Sequence, residues 1–206
     1  MSRLFKAEFL ISVADLRHLP APAGSEVAFV GRSNAGKSSA LNALTNRKRL
    51  AFVSKAPGRT QHINFFEVDE GRFLVDLPGY GFAGVPLEVK GQWDALVGTY
   101  LRERSSLAGL VLIMDSRHPL KPSDLHLLEW FSPCGKPVHV LLTKADKLSR
   151  QTGDSRLREV RARLAASYPL CTAQLFSSSS RLGLDEAREV IEGLLFGPDQ
   201  QRLALK

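Results

Sequence analysis

The chain has 206 residues, with 28 Lys/Arg against 21 Asp/Glu and an apolar fraction of 44%. That is the composition of one globular domain with a full core, not of a disordered or fibrous chain. The excess of +7 is spread over both halves instead of being gathered in a tail, which suggests an anionic partner, RNA first.

Cys134 and Cys171 form no C-x-x-C pair and suggest no disulfide framework, so a reducing compartment fits. The apolar run Phe9–Ala14 is too short to cross a membrane and stops at Asp15. The expected location is the cytoplasm, with no membrane contact.

Residues 1–23 read as an extension, with Ala7–Val13 an edge strand or short lead-in and Arg17–Pro20 a turn. Glu26–Val30 is a buried strand and Ser39–Leu44 a helix, followed by the basic Arg47-Lys48-Arg49 and a polar, turn-rich Ser54–Gln61. Ile63–Val68 and Arg72–Val75 form a hairpin about Asp69-Glu70-Gly71. A helix is predicted over Leu87–Arg104, with Trp93, Leu96 and Tyr100 inward at i, i+3, i+7.

Leu110–Met114 is a continuous apolar run, as a central parallel strand requires. Pro122 and Asp124 open a helix carrying Leu125, Leu128 and Trp130, and Val138–Leu142 is the next strand. A helix over Gly153–Ser167 shows Leu157, Val160 and Leu164 on one stripe, with Arg156, Arg158, Arg161 and Arg163 read as its solvated face. Ala173–Phe176 is the last strand, Leu184–Phe196 the last helix.

The alternation predicts an α/β fold: a mostly parallel six-stranded sheet with one antiparallel hairpin strand and helices on both faces. A domain over 24–198 and a tail over 199–206 follow. Ligands of such sheets bind beyond the carboxyl ends of the strands.

At the first of those ends lies Gly31-Arg32-Ser33-Asn34-Ala35-Gly36-Lys37-Ser38. G-x-x-x-x-G-K-S between a strand and a helix is a phosphate-binding loop. Gly31 and Gly36 let the backbone curl so that successive N–H groups point at a polyphosphate, and the helix N-terminus adds its positive end. Lys37 supplies a cation to the terminal phosphates, and Ser38 a hydroxyl to Mg²⁺.

Asp76-Leu77-Pro78-Gly79 ends the hairpin's second strand. Its Asp can hold Mg²⁺, directly or through water, and its Gly can turn an N–H to the γ-phosphate. Thr60 offers a second metal hydroxyl when the γ-phosphate is present. Thr143-Lys144-Ala145-Asp146 selects the base: an ionised Asp146 accepts from guanine N1–H and its 2-amino group, whereas adenine presents a lone pair there. The Lys144 stem can lie over the base, and Ser177-Ser178 places a backbone N–H near guanine O6.

Together with Arg17-His18-Leu19-Pro20, Pro57-Gly58-Arg59-Thr60-Gln61, Asp76–Gly81, Arg117-His118-Pro119-Leu120-Lys121, Leu142–Lys147 and Phe176-Ser177-Ser178, these strings resemble the EngB (YihA/YsxC) family, translation-factor-class GTPases of ribosome biogenesis. The resemblance implies a P-loop NTPase of the Ras-like G-domain kind. It implies a switch binding GTP, GDP and Mg²⁺, acting in large-subunit assembly, with the ribosomal particle as partner and a role in cell division and septation. Gly58, Arg59, Thr60, Gln61 and His62 are then nucleotide-binding, Ser179 joins Ser177 and Ser178 at the base, and Lys37, Thr60 and Gly79 carry catalysis. A monomer is expected.

Two departures stand out. Thr143 replaces the Asn usual in the wider class, which predicts a looser tether to the phosphate loop. Ser179-Ser180 displace the basic residue that often follows the serines, leaving Arg181 in doubt at the base.

Tyr80 stands where many GTPases carry a water-positioning glutamine, so slow intrinsic hydrolysis is expected. Asn34 has two readings. Either it closes a turn or, as in some GTPases lacking that glutamine, it helps hold a K⁺ ion between the β and γ phosphates. Two other functions stay open: a nucleotide-gated module binding a protein at the division site, and a small-molecule kinase, which Thr143–Asp146 argues against.

Overall fold

The computed structural model describes residues 1–51, 62–80, 91 and 94–197. Its strands are β1 (Glu8–Val13), β2 (Ser25–Gly31), β3 (Ile63–Asp69), β4 (Arg72–Asp76), β5 (Leu107–Asp115), β6 (Val138–Thr143) and β7 (Cys171–Leu175). The α-helices are α1 (Lys37–Leu44), α2 (Thr99–Glu103), α3 (Pro122–Phe131), α4 (Arg150–Ser167) and α5 (Leu184–Phe196).

One sheet runs in the order β1-β3-β4-β2-β5-β6-β7. Only β3 runs against the others, antiparallel to both β1 and β4. The expected class therefore stands, with one correction: the sheet has seven strands, not six. The N-terminal Glu8–Val13 pairs with β3 from Glu8↔Glu67 to Val13↔Ile63 and becomes the edge. Its Phe9, Leu10 and Ile11 remain exposed, so no alternation marks it as part of the sheet.

The central strand shows why helices cover both faces. Ala28 and Val30 point into one core, with Tyr100, Leu128, Phe131, Val160 and Leu164. Val27 and Phe29 point into the other, with Leu41, Leu44, Phe176, Ile191 and Leu195. Alternate residues of one strand thus bury on opposite faces.

Helix starts follow local chemistry. Pro122 stands at the first turn of α3, where its missing N–H costs nothing, and Asp124 caps the N–H of Lys121 at 3.0 Å. Ser149 caps α4 by accepting from the N–H of Thr152, so the helix begins before the expected Gly153. Of the helix expected over Leu87–Arg104, the described part is a wide turn at Asp94–Gly98 followed by α2. Leu96 and Tyr100 pack into the core as expected; Trp93 lies outside the described residues.

Candidate nucleotide site

β2 ends at Gly31 and α1 begins at Lys37. The loop between them turns through two left-handed residues, Asn34 (φ 61°) and Gly36 (φ 103°). The turn-closing reading accounts for Asn34; the carbonyls that a potassium site needs from 55–60 lie outside the described residues. Gly31 admits no side chain, because a Cβ there would sit 2.7 Å from the carbonyl oxygen of Ile113 on β5.

At the end of β4, beside β2, Asp76 forms an ion pair with Lys37. The chain then crosses the phosphate loop. Leu77 N–H donates to the Phe29 carbonyl at 3.0 Å and Tyr80 N–H to the Gly31 carbonyl at 3.2 Å, while the Tyr80 carbonyl accepts from Ser33 N–H at 3.2 Å. Gly79 is pressed against the loop, since a Cβ on it would lie 3.3 Å from the Gly31 oxygen. Arg32 and Tyr80 complete this seam as a parallel bridge.

The other end of the site is built on β6 and β7. The Thr143 hydroxyl lies 2.5 Å from the Ala35 carbonyl and 3.0 Å from that of Met114. Threonine thus ties β6 directly to the phosphate loop, where a looser tether was expected. Lys144, itself left-handed at φ 58°, donates to the Asn34 carbonyl at 2.7 Å and to Asp115 at 2.9 Å. Ala145 N–H reaches the Phe176 carbonyl, locking the two strand ends together.

Ser177 donates its hydroxyl proton to Asp146 at 2.6 Å, and the other carboxylate oxygen of Asp146 faces Lys147 at 3.2 Å. The Ser177 bond, ahead of Lys147 and Ser179, holds the Asp146 carboxyl below the ordinary carboxylate range, so it is ionised near neutral pH. The Ser177 N–H is spent on the Leu182 carbonyl, which leaves Ser178 as the backbone donor of that pair. Ser179 sits 3.1 Å from the Ser177 hydroxyl. Arg181 is exposed.

Gly58, Arg59, Thr60 and Gln61 lie outside the described residues; His62 is exposed just before β3. Two carboxylates escaped the sequence reading. Asp115 ends β5 and gathers Arg117 in two side-chain bonds, at 2.9 and 2.7 Å, as well as Lys144. Burial pushes its pKa up, but the Arg117 and Lys144 donors outweigh that and hold it well below the usual range. An Asp closing an apolar strand beside the phosphate loop was the available signal. Asp124, read only as a helix opener, is fully buried against Tyr80 and Arg32.

A hydroxyl (Ser38), a carboxylate (Asp76) and phosphate oxygens form the all-oxygen set that a hard cation such as Mg²⁺ takes. Among the described residues, no three His, Cys, Asp or Glu side chains gather as a metal site of their own.

A glycine-rich loop between a strand and a helix, tied to Asp76 on one side and to Thr143 and Lys144 on the other, on a mostly parallel sheet, defines a P-loop GTPase. The family model described as 50S ribosome-binding GTPase matches residues 26–144. The "Probable GTP-binding protein EngB" of Methylobacillus flagellatus is 58% identical over 94% of this chain and 93% of its own length. That of Thiobacillus denitrificans is 59% identical over 93% and 92%. This chain belongs to the EngB family and is a GTP-hydrolysing enzyme.

A crystal structure of a probable GTP-binding protein EngB has a TM-score of 0.65 over 83% of this chain and 98% of that one, at 21% identity. Aquifex aeolicus Era bound to GDP and aluminium fluoride also reaches 0.65, covering 84% and 57% at 21% identity. Both show the same fold. No helix among the described residues is long and apolar enough to cross a membrane.

Proposed function

We propose that this GTPase is a cytoplasmic, monomeric switch in assembly of the large ribosomal subunit, docking on the precursor particle in its GTP form, and that normal division and septation depend on it. The nucleotide-binding motifs fall within residues 24–198, while residues 1–23 precede them and add the edge strand β1 to the same sheet. The observation that carries the switch reading is the seam between Asp76–Tyr80 and the phosphate loop. There, Gly79 is packed against Gly31 and Ser33 beside the Lys37–Asp76 pair. A γ-phosphate bound by the loop meets that segment directly. The ribosomal partner is supported by the family's description as 50S ribosome-binding GTPases and by the net charge of +7.

In this reading the backbone of Gly31–Gly36 cradles the phosphates, and Lys37 leaves Asp76 for the β and γ oxygens. Ser38 and Asp76, joined by Thr60 in the GTP state, would hold Mg²⁺, which would supply charge neutralisation at the phosphates. Gly79 turns its N–H to the γ-phosphate. Asp146 pairs with guanine, the Lys144 stem covers the base, and Ser178 offers its N–H to O6. Gly58, Arg59, Gln61 and His62 contribute to nucleotide binding, as the family resemblance implies.

Tyr80 stands where a water-positioning group is needed, yet its hydroxyl donates to the buried Asp124 at 2.8 Å. A phenol held in the core does not orient attacking water, so intrinsic turnover is slow and the ribosomal particle supplies what is missing.

The test loads the protein with a non-hydrolysable GTP analogue or with GDP and sediments it through cell extract, followed by RNA analysis. Large-subunit RNA enriched with the analogue supports the proposal. Equal recovery in both states, or none, rejects it.

A further inference from the structure

The string Arg117-His118-Pro119-Leu120-Lys121 and the carboxylate that follows it lie outside the nucleotide-binding motifs. Asp124 is fully buried, and it collects donors from three separate segments. Its Oδ1 accepts from the Tyr80 hydroxyl at 2.8 Å and lies 3.2 Å from Arg32 Nε, while its Oδ2 accepts from Lys121 N–H at 3.0 Å. Arg32 also donates to the His118 carbonyl at 3.1 Å. Arg32 belongs to the phosphate loop, Tyr80 follows Gly79, and His118 and Lys121 belong to the turn before α3. Within that turn Leu120 holds a left-handed φ of 54°, a conformation that persists only where its surroundings enforce it.

We propose that Asp124 is a positioning residue for the GTP state: it clasps Tyr80 and Arg32 so that Gly79 is held over the phosphate loop, and it joins that segment to the Arg117–Lys121 turn. The proposal rests on the switch reading above.

Asp124 Oδ1 faces two groups of different kinds. Tyr80 makes the directed hydrogen bond, whereas Arg32 Nε is within ion-pair distance but makes no hydrogen bond to it. Arg32 therefore supplies the charge that keeps a buried carboxylate tolerable, while Tyr80 supplies direction. Burial pushes the Asp124 pKa up, against the Tyr80 bond and the Arg32 charge. A helix cap needs only Oδ2, so the cap alone does not explain why Oδ1 gathers Tyr80 and Arg32.

A ligand shifts such an element only through contacts that differ between its states. GTP presents a γ-phosphate to Gly79 and GDP does not. Loss of the clasp should therefore weaken GTP binding selectively.

The experiment measures affinity of the full chain for a non-hydrolysable GTP analogue and for GDP, in wild type, Tyr80→Phe, Asp124→Asn and the double variant. Analogue affinity should fall about tenfold in each single variant, as for a hydrogen bond to a charged group. GDP affinity should stay within about twofold, and the double variant should fall no further than the singles, because both act through one bond.

Equal weakening of both nucleotides, or additive losses in the double variant, overturns the clasp. If Asp124→Asn fails to fold by its circular dichroism melt, Tyr80→Phe decides alone, and an unchanged analogue-to-GDP ratio rejects the proposal. Wild-type protein that binds neither nucleotide would reject the switch reading itself, an outcome distinct from either of these.

Discussion

Ser177 donates its hydroxyl proton to Asp146 from the end of the neighbouring strand, 2.6 Å away. The bond orients the carboxylate and holds its pKa below the ordinary carboxylate range. A side chain already held in place loses little rotamer freedom on binding.

Base choice should therefore rest on this pair. Asp146→Asn places a donor where guanine's 2-amino group needs an acceptor, but suits the 2-oxo group of xanthine. GTP affinity should fall by about 10⁴-fold, the scale at which unpaired polar groups reject a ligand, while XTP affinity rises. Competition binding with GTP, XTP and ATP checks this, and undiminished GTP binding would remove Asp146 from the base site.

How far the sequence carried depends on whether partners share a motif. The motifs holding Lys37 and Asp76 were readable at one end of the sheet because each is contiguous in sequence and follows a strand end, although their ion pair itself was not foreseen. Asp124 was not readable, because its partners Arg32 and Tyr80 arrive from distant strands and its local signal, Pro122 followed by an acid, is fully explained as a helix start. At the edge the sequence left two readings of Ala7–Val13 open, an edge strand or a short lead-in, and the structure takes the first. β1 exposes Phe9, Leu10 and Ile11 in succession, which breaks the alternation by which a half-buried strand is recognised. The start of α4 was hidden because Arg150, Gln151 and Thr152 in its first turn bury no apolar side chain.

Stability and nucleotide binding should separate at the far end of β2. Glu26 is fully buried and receives the Arg104 guanidinium at 2.6–3.0 Å, the Ser106 hydroxyl at 2.7 Å and the Tyr100 hydroxyl at 2.7 Å. Arg104 also holds the Pro20 carbonyl at 2.8 Å, tying the N-terminal extension to the domain. Arg104→Met removes the cation and strands a buried carboxylate, a change that costs about 3–5 kcal/mol. Five residue steps of strand, about 16 Å, carry β2 from Glu26 to Gly31 at the start of the phosphate loop. Urea unfolding should show that loss while GDP affinity is retained, and a parallel loss of GDP affinity in the folded protein would refute the separation.

A pH dependence should originate at His139, on β6. Its ring bridges two residues of β7, with Nδ1 2.8 Å from the Thr172 hydroxyl and Nε2 2.8 Å from Gln174 Oε1. The Gln174 amide nitrogen donates to the Gly183 carbonyl at 2.7 Å, which turns Oε1 toward the imidazole. Nε2 therefore carries the proton and Nδ1 accepts from Thr172, so the neutral ring is fully satisfied. Burial, working against the Gln174 bond, lowers its pKa from the usual value near 6.5. The unfolded chain then binds a proton at a higher pH than the folded one, and stability rises with pH wherever that holds. Above pH 6.5 the contribution is complete; it is lost as pH falls from there toward the lowered folded value. His139→Asn removes the titrating group, so its unfolding free energy should fall less steeply than that of the wild type between about pH 7 and pH 5. Urea titrations of both proteins across that range supply the comparison. Matching slopes would mean that some other group carries the dependence and that the His139 ring accepts its proton without penalty.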